Sequence, residues 1–153
     1  MSHIEKCSVV ITDLKALKAA CETLGLTLSE GQKKFVGYYG AKNPCQHAIK
    51  VPGVSWEVGL LSADTEGNKV KGWTTAFDPF GTQGQTIASK LCKKHGEQYG
   101  QPVYKHKDGT HHCETLMNQY SLEVLKAKAR AKGYQFKQTT VDGKIKLQVT
   151  LGN

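Results

Sequence analysis

The chain has a single arginine, Arg130, among its 21 basic side chains, so lysine carries almost all of a formal net charge of +8. Arginine's planar fork reads guanine edges and grips phosphate with two hydrogen bonds, whereas lysine is a flexible point charge. A surface this poor in arginine suits non-specific association with polyanions, or solubility alone, and argues against base-specific recognition. No apolar run is long enough to cross a bilayer, and the start lacks the charged-then-apolar pattern of a secretory signal. The five cysteines (Cys7, Cys21, Cys45, Cys92, Cys113) are an odd number at irregular spacing. That excludes a simple disulfide framework and leaves reduced thiols as the expectation. These absences point to a soluble, cytoplasmic protein. At 153 residues the chain can bury a real core, and one domain spanning 1–153 is expected.

The most regular stretch is the last third, Glu114 to Leu151. From Leu116, the apolar positions Tyr120, Val124, Ala127 and Ala131 recur every three or four residues and share one helical face. Gly133 stands where a left-handed residue would end that helix. Tyr134-Gln135-Phe136 and Ile145 to Leu151 then alternate apolar and polar around Asp142-Gly143, a strong hairpin signal.

The start of the chain echoes this pattern. Lys6 to Thr12 is a short β-rich run, Thr12-Asp13 offers a helix N-cap, and Leu14, Leu17, Cys21 and Leu24 follow at helical spacing up to Gly25. Both ends thus carry an alanine- and lysine-rich helix that stops at glycine. Between them, Leu26 and Leu28, Lys34 to Tyr39, His47 to Val51, Ser55 to Leu61 and Lys69 to Phe77 read as strands, with a turn at 64–68. The expected fold is α+β: an antiparallel sheet with two principal helices packed on one face and strand–helix units at both ends. The other face would be left to solvent, a partner or a second subunit.

Asp78 to His112 departs from this rhythm. It holds five glycines, two of the four prolines and four of the six histidines. It reads as a loop-rich excursion from the sheet with a helix at about Thr86 to His95.

The two ends together resemble a family of cyanobacterial, plastid and bacteriophage proteins known as the hypothetical chloroplast reading frame 35 type, or the domain-of-unknown-function 1257 family. The residues that carry the resemblance are Met1-Ser2-His3 with Val9 to Gly25, and Tyr120-Ser121 through Lys132-Gly133-Tyr134 to Ile145-Lys146-Leu147. Phe35 to Tyr38 and Trp56 to Gly59 fit its middle more loosely. The resemblance covers about half the chain and implies no catalytic residues. It implies a companion of AAA-type ATPases, a partner or adaptor role, and host cytoplasm for a phage-encoded member. The segment Gly81 to His112 looks longer than its counterpart in the family.

Four constellations carry chemistry. Cys92 and His95, with His112 and Cys113, have residue types that suit zinc, although the spacing fits no standard finger. Against that reading, the thiols belong to a helix core and the imidazoles to solvent. Gly81 to Thr86 opens the expected helix and offers backbone amides to an anion; the alternative is that Thr86 caps the helix. Cys113 beside His112 is the best nucleophile–base pair, but neighbours in sequence usually point apart, and no catalytic residue is assigned. Finally, Lys126, Lys128, Arg130, Lys132, Lys137, Lys144 and Lys146 gather around the final helix and hairpin, with Tyr99 and Tyr104 set among a second lysine group. Such a mixture can track a phosphate backbone and stack on bases, or can be the solvated face of an amphipathic helix.

The sequence therefore leads to a small non-enzymatic accessory or adaptor protein without cofactor, acting through a protein partner such as an AAA-type ATPase. The alternative is a lysine-driven nucleic-acid-binding protein. No membrane association is expected.

Overall fold

A computed structural model describes residues 4–150 apart from 8, 65, 66, 68 and 70, and omits the Tyr39 side chain. The family-like start at 1–3, most of the turn at 64–68 and the Leu151 end of the last strand lie outside the described residues.

Five antiparallel strands form the central sheet: β1 (Glu5–Lys6), β2 (Thr27–Glu30), β5 (His47–Lys50), β6 (Glu57–Ser62) and β7 (Trp73–Phe77), in the order β1-β7-β6-β5-β2. Side chains alternate across each strand, which divides the sheet into two faces. Ile49, Val58, Leu60 and Phe77 enter the main core, while Ala48 and Ala76 face the other way. The strand expected over Lys6 to Thr12 is shorter than its composition suggests. Only Glu5–Lys6 pair along β7, and Ile11 returns to the sheet as an isolated bridge to Trp73.

Three helices cover the main face, the helix of the excursion joining the two principal ones: α1 (Leu14–Thr23), α2 (Gly81–Leu91) and α3 (Glu114–Ala131). The side chain of Asp13 caps α1 by accepting from the Ala16 amide at 3.1 Å. The Tyr120 hydroxyl, from α3, accepts from the amides of Thr12 and Asp13 at 3.0 and 3.1 Å, so one helix finishes the N-terminus of another. Gly25 and Gly133 end α1 and α3 with φ of +74° and +72°, as their position after the periodic runs implies.

The second face is not left to solvent. A small hairpin, β3 (Lys34–Val36) with β4 (Lys42–Pro44), drives the fully buried Phe35 onto it above Ala48 and Ala76. A Cβ at Gly59 would lie 2.3 Å from the Phe35 ring, so this strand position requires glycine. The buried Glu57 carboxylate accepts from the Val36 amide at 3.0 Å and from Gln32 Nε2, which ties the hairpin to β6.

The C-terminal strands form the expected hairpin but do not join the sheet. Among the described residues β10 (Gln135–Val141) and β11 (Lys144–Thr150) pair only with each other, in full register from Gln135↔Thr150 to Val141↔Lys144. Asp142 and Gly143, at φ +51° and +75°, make the turn with both central residues left-handed. Among the described residues no helix is long and apolar enough to cross a membrane.

Candidate functional site

The excursion is more ordered than its composition suggests, and its helix lies earlier than expected. The backbone turns at Asp78, whose carboxylate accepts from the Phe80 amide at 2.9 Å, and α2 begins at Gly81. The Gly81–Thr86 stretch is therefore the first turn and a half of a helix rather than a loop that precedes one. Thr86 is no cap; its hydroxyl donates to the Thr82 carbonyl inside the helix. Gly84 is buried against Pro79 and Asp78, where a Cβ would come within 2.3 Å of backbone, and this explains a glycine in mid-helix. Ile87, Ala88 and Leu91 enter the main core, and the helix stops at Leu91, before Lys94 and His95.

Past α2 the chain makes a small hairpin, β8 (Glu97–Gln98) with β9 (Gln101–Pro102), and runs back to α3. His95 sits at the hairpin's base, where its amide donates to the Val103 carbonyl at 2.6 Å. His106 closes a tight turn, its amide donating to the Thr110 carbonyl while its own carbonyl accepts from Gly109. Glu114 is the first residue of α3. Nε2 of both His95 and His106 meets the same Oε2 of Glu114, at 2.9 Å for His106. The three ligand atoms lie within 4.8 Å of one another. Burial works to raise the Glu114 carboxyl, but hydrogen bonds from its own amide, the two imidazoles and the Lys93 amide outweigh it and hold the group below the usual carboxylate range. His112 stacks face to face on His106 at 3.6 Å, and its Nε2 lies 3.0 Å from Thr110 Oγ1 and 3.3 Å from Asp108.

The expected zinc set of Cys92, His95, His112 and Cys113 does not assemble. Cys92 and Cys113 point inward and are buried among core side chains, while His95 and His112 stay outside with His106, Glu114 and Asp108. The chain changes direction at Cys113, which takes φ +51° as the residue before α3: its thiol enters the core while its neighbours His112 and Glu114 both stay with the outer histidines. The same geometry separates the Cys113–His112 pair. Hydrogen bonding from Cys92, burial and the nearby thiols of Cys92 and Cys7 push the Cys113 thiol well above its ordinary range, so it is held protonated and is a poor nucleophile. A buried histidine, His111, donates its amide to Glu5 at 3.2 Å and meets the same carboxylate through Nδ1 at 2.7 Å, tying the first strand to the approach of α3. Beside it opens a cleft of about 440 Å³ lined by Glu5, Asp78, Phe80 and Tyr104. A second, of about 660 Å³, borders His95, His106, Lys105 and Lys107.

The basic residues form a distinct feature. Cross-strand pairing puts Lys137 opposite Gln148, Lys146 opposite Thr139 and Lys144 opposite Val141, so the three lysines share one face of the ribbon. The opposite face carries Phe136, Ile145, Leu147 and Val149. Phe136 is half-buried against α3, with Arg130 5.0 Å and Lys126 6.0 Å from its ring centre. The apolar face thus turns toward the helix at its base, where Phe136 is half-buried, but Ile145 and Val149 on it are exposed, as is every residue of the lysine face. Lys128 and Lys132 are exposed on α3, while Lys126 is half-buried and paired with Glu123 at 3.5 Å. Tyr99 and Tyr104 do not belong to this arm. Tyr99 is 94% exposed at the tip of the β8–β9 hairpin, and Tyr104 packs on the main core.

His106 and Glu114 are the site residues that sequence reasoning missed. Nothing in their spacing links them to His95; only the histidine density of the excursion hinted at a cluster. The chain matches no protein-family model, no curated protein and no solved structure.

Proposed function

We propose that the protein is a non-enzymatic accessory protein whose last helix and β-ribbon form a cationic arm that binds nucleic acid through its phosphates, without base specificity. The observation that carries this reading is the segregation of charge. Between positions 126 and 150 seven cationic side chains stand against one carboxylate, Asp142, and the three ribbon lysines share one face on which every residue is exposed. A two-stranded ribbon is one of the elements that fits the major groove, and seven residues per strand give it a reach of about 23 Å. With Arg130 laid over Phe136 and no aromatic on the lysine face, neither guanidinium readout nor base stacking is on offer. Contact is then electrostatic, so affinity must fall steeply with salt.

A second reading, an adaptor that docks on a protein such as an AAA-type ATPase, draws support from the same arm. Leu125, Val141, Ile145 and Val149 are exposed, and neither ribbon edge is paired with another strand among the described residues. Open edges accept an added strand from a partner. Fluorescence-anisotropy titration against generic single- and double-stranded DNA and RNA at two salt concentrations separates the two. Binding that weakens steeply with salt supports the nucleic-acid reading; no binding at low salt rejects it and leaves the arm to a protein.

A further inference from the structure

We propose that His95, His106 and Glu114 form a binding site for one divalent transition-metal ion of the zinc class, which staples the excursion to the start of α3. α2 is held by its core residues Ile87, Ala88 and Leu91. Beyond it, every residue from Lys93 to Pro102 is exposed. Up to Thr110 this stretch is anchored to the body by the half-buried Val103 and Tyr104 and by the cluster itself, with the buried His111 just beyond it, and a segment with so little core is where a metal substitutes for hydrophobic burial.

The geometry is compatible with a bound ion. Two imidazoles converge on one carboxylate oxygen, and the three ligand atoms lie within 4.8 Å of one another. Around a tetrahedral zinc with bonds of about 2.0–2.1 Å, ligand atoms sit roughly 3.3 Å apart. The His106–Glu114 separation of 2.9 Å is within a few tenths of an ångström of that. Each ligand is also fixed from behind: His95 and His106 by their backbone hydrogen bonds, and Glu114 by its place at the head of a helix and by the Lys93 amide, 3.4 Å from its other oxygen. The stacked His112 holds the plane of His106. Imidazole ligands favour zinc, cobalt or nickel over magnesium or calcium. Three protein ligands leave a fourth position for water or an anion, on the side of the cleft bordered by Lys105 and Lys107.

The test uses the full-length chain without a histidine tag, stripped with chelator. Zn²⁺ alone is titrated by calorimetry, and Co²⁺ alone is followed by its visible absorption. The proposal expects one saturable equivalent and tetrahedral cobalt bands without a thiolate-to-cobalt charge-transfer band. His106→Ala and Glu114→Gln are expected to weaken Zn²⁺ binding by at least about 100-fold, while His112→Ala, acting behind a ligand, costs roughly 10- to 100-fold. Circular dichroism of the stripped variants confirms that each still folds; if His106→Ala does not, His95→Ala replaces it. Absence of a one-equivalent site, binding indifferent to these substitutions, or a thiolate band that moves the metal to Cys92 and Cys113 each overturns the proposal.

Discussion

The sheet-and-helix body and the C-terminal arm use similar residues to opposite ends. In the body, apolar side chains meet across layers: Leu17, Ile49, Leu60, Ile87 and Leu116 are fully buried in one cluster, and Phe35 fills the other face. Its buried carboxylates, Glu57 and Asp78, are matched by donors. In the arm, Val141, Ile145 and Val149 stay about half exposed, and the lysines of the ribbon face have no carboxylate opposite them. The body is saturated with internal partners; the arm keeps its capacity for something outside the chain.

The contrast can be broken most directly by comparing truncations. Leu116→Ala, in the main core, is expected to cost about 2–5 kcal/mol in urea unfolding. Ile145→Ala, on the ribbon, is expected to stay within about 0.5 kcal/mol. Equal costs would mean that the arm is packed as tightly as the body. Next in size, Gly59→Ala forces a methyl into the Phe35 ring and is expected to cost roughly 1–3 kcal/mol, partly restored when Phe35→Leu is added. Tyr120→Phe strands the Thr12 and Asp13 amides, an expected loss of about 1–2 kcal/mol by thermal or urea unfolding.

The smallest effect is chemical. Cys7, Cys21, Cys92 and Cys113 are buried, and burial with the nearby Glu22 charge pushes the Cys21 thiol up to about 12. Cys45 is the half-buried exception, its pKa raised by partial burial and then by Glu57. Mass-resolved alkylation of the native protein is therefore expected to modify Cys45 first, and slowly. Early labelling of Cys92 or Cys113 would show the body to be looser than described.

Legibility in the sequence follows the same division. α1, α3 and the Asp142-Gly143 hairpin were readable because a helical period, a cap residue and a left-handed turn are local signals. The third helix was misplaced because Thr86 resembles a cap, while the real start depends on an aspartate turn at Asp78 and close packing at Gly84. The covered second face was missed because Phe35 meets Gly59 across 24 positions of sequence. The histidine–glutamate cluster was missed for the same reason: His95, His106 and Glu114 belong to a hairpin base, a tight turn and a helix start that only the tertiary fold brings together. Charge on the arm was visible from composition, but its separation onto one face required the register of the hairpin.

The most direct test of the arm's role compares salt dependence in two proteins: the wild type and the triple variant Lys137→Gln, Lys144→Gln, Lys146→Gln, each titrated with duplex DNA across a range of salt. Each phosphate contact contributes about 0.9 to the slope of log affinity against log salt. The account expects the triple variant to fold with unchanged stability and to lose roughly 2.7 from the magnitude of that slope. A slope that does not change, or a wild type that binds no nucleic acid at low salt, would contradict it.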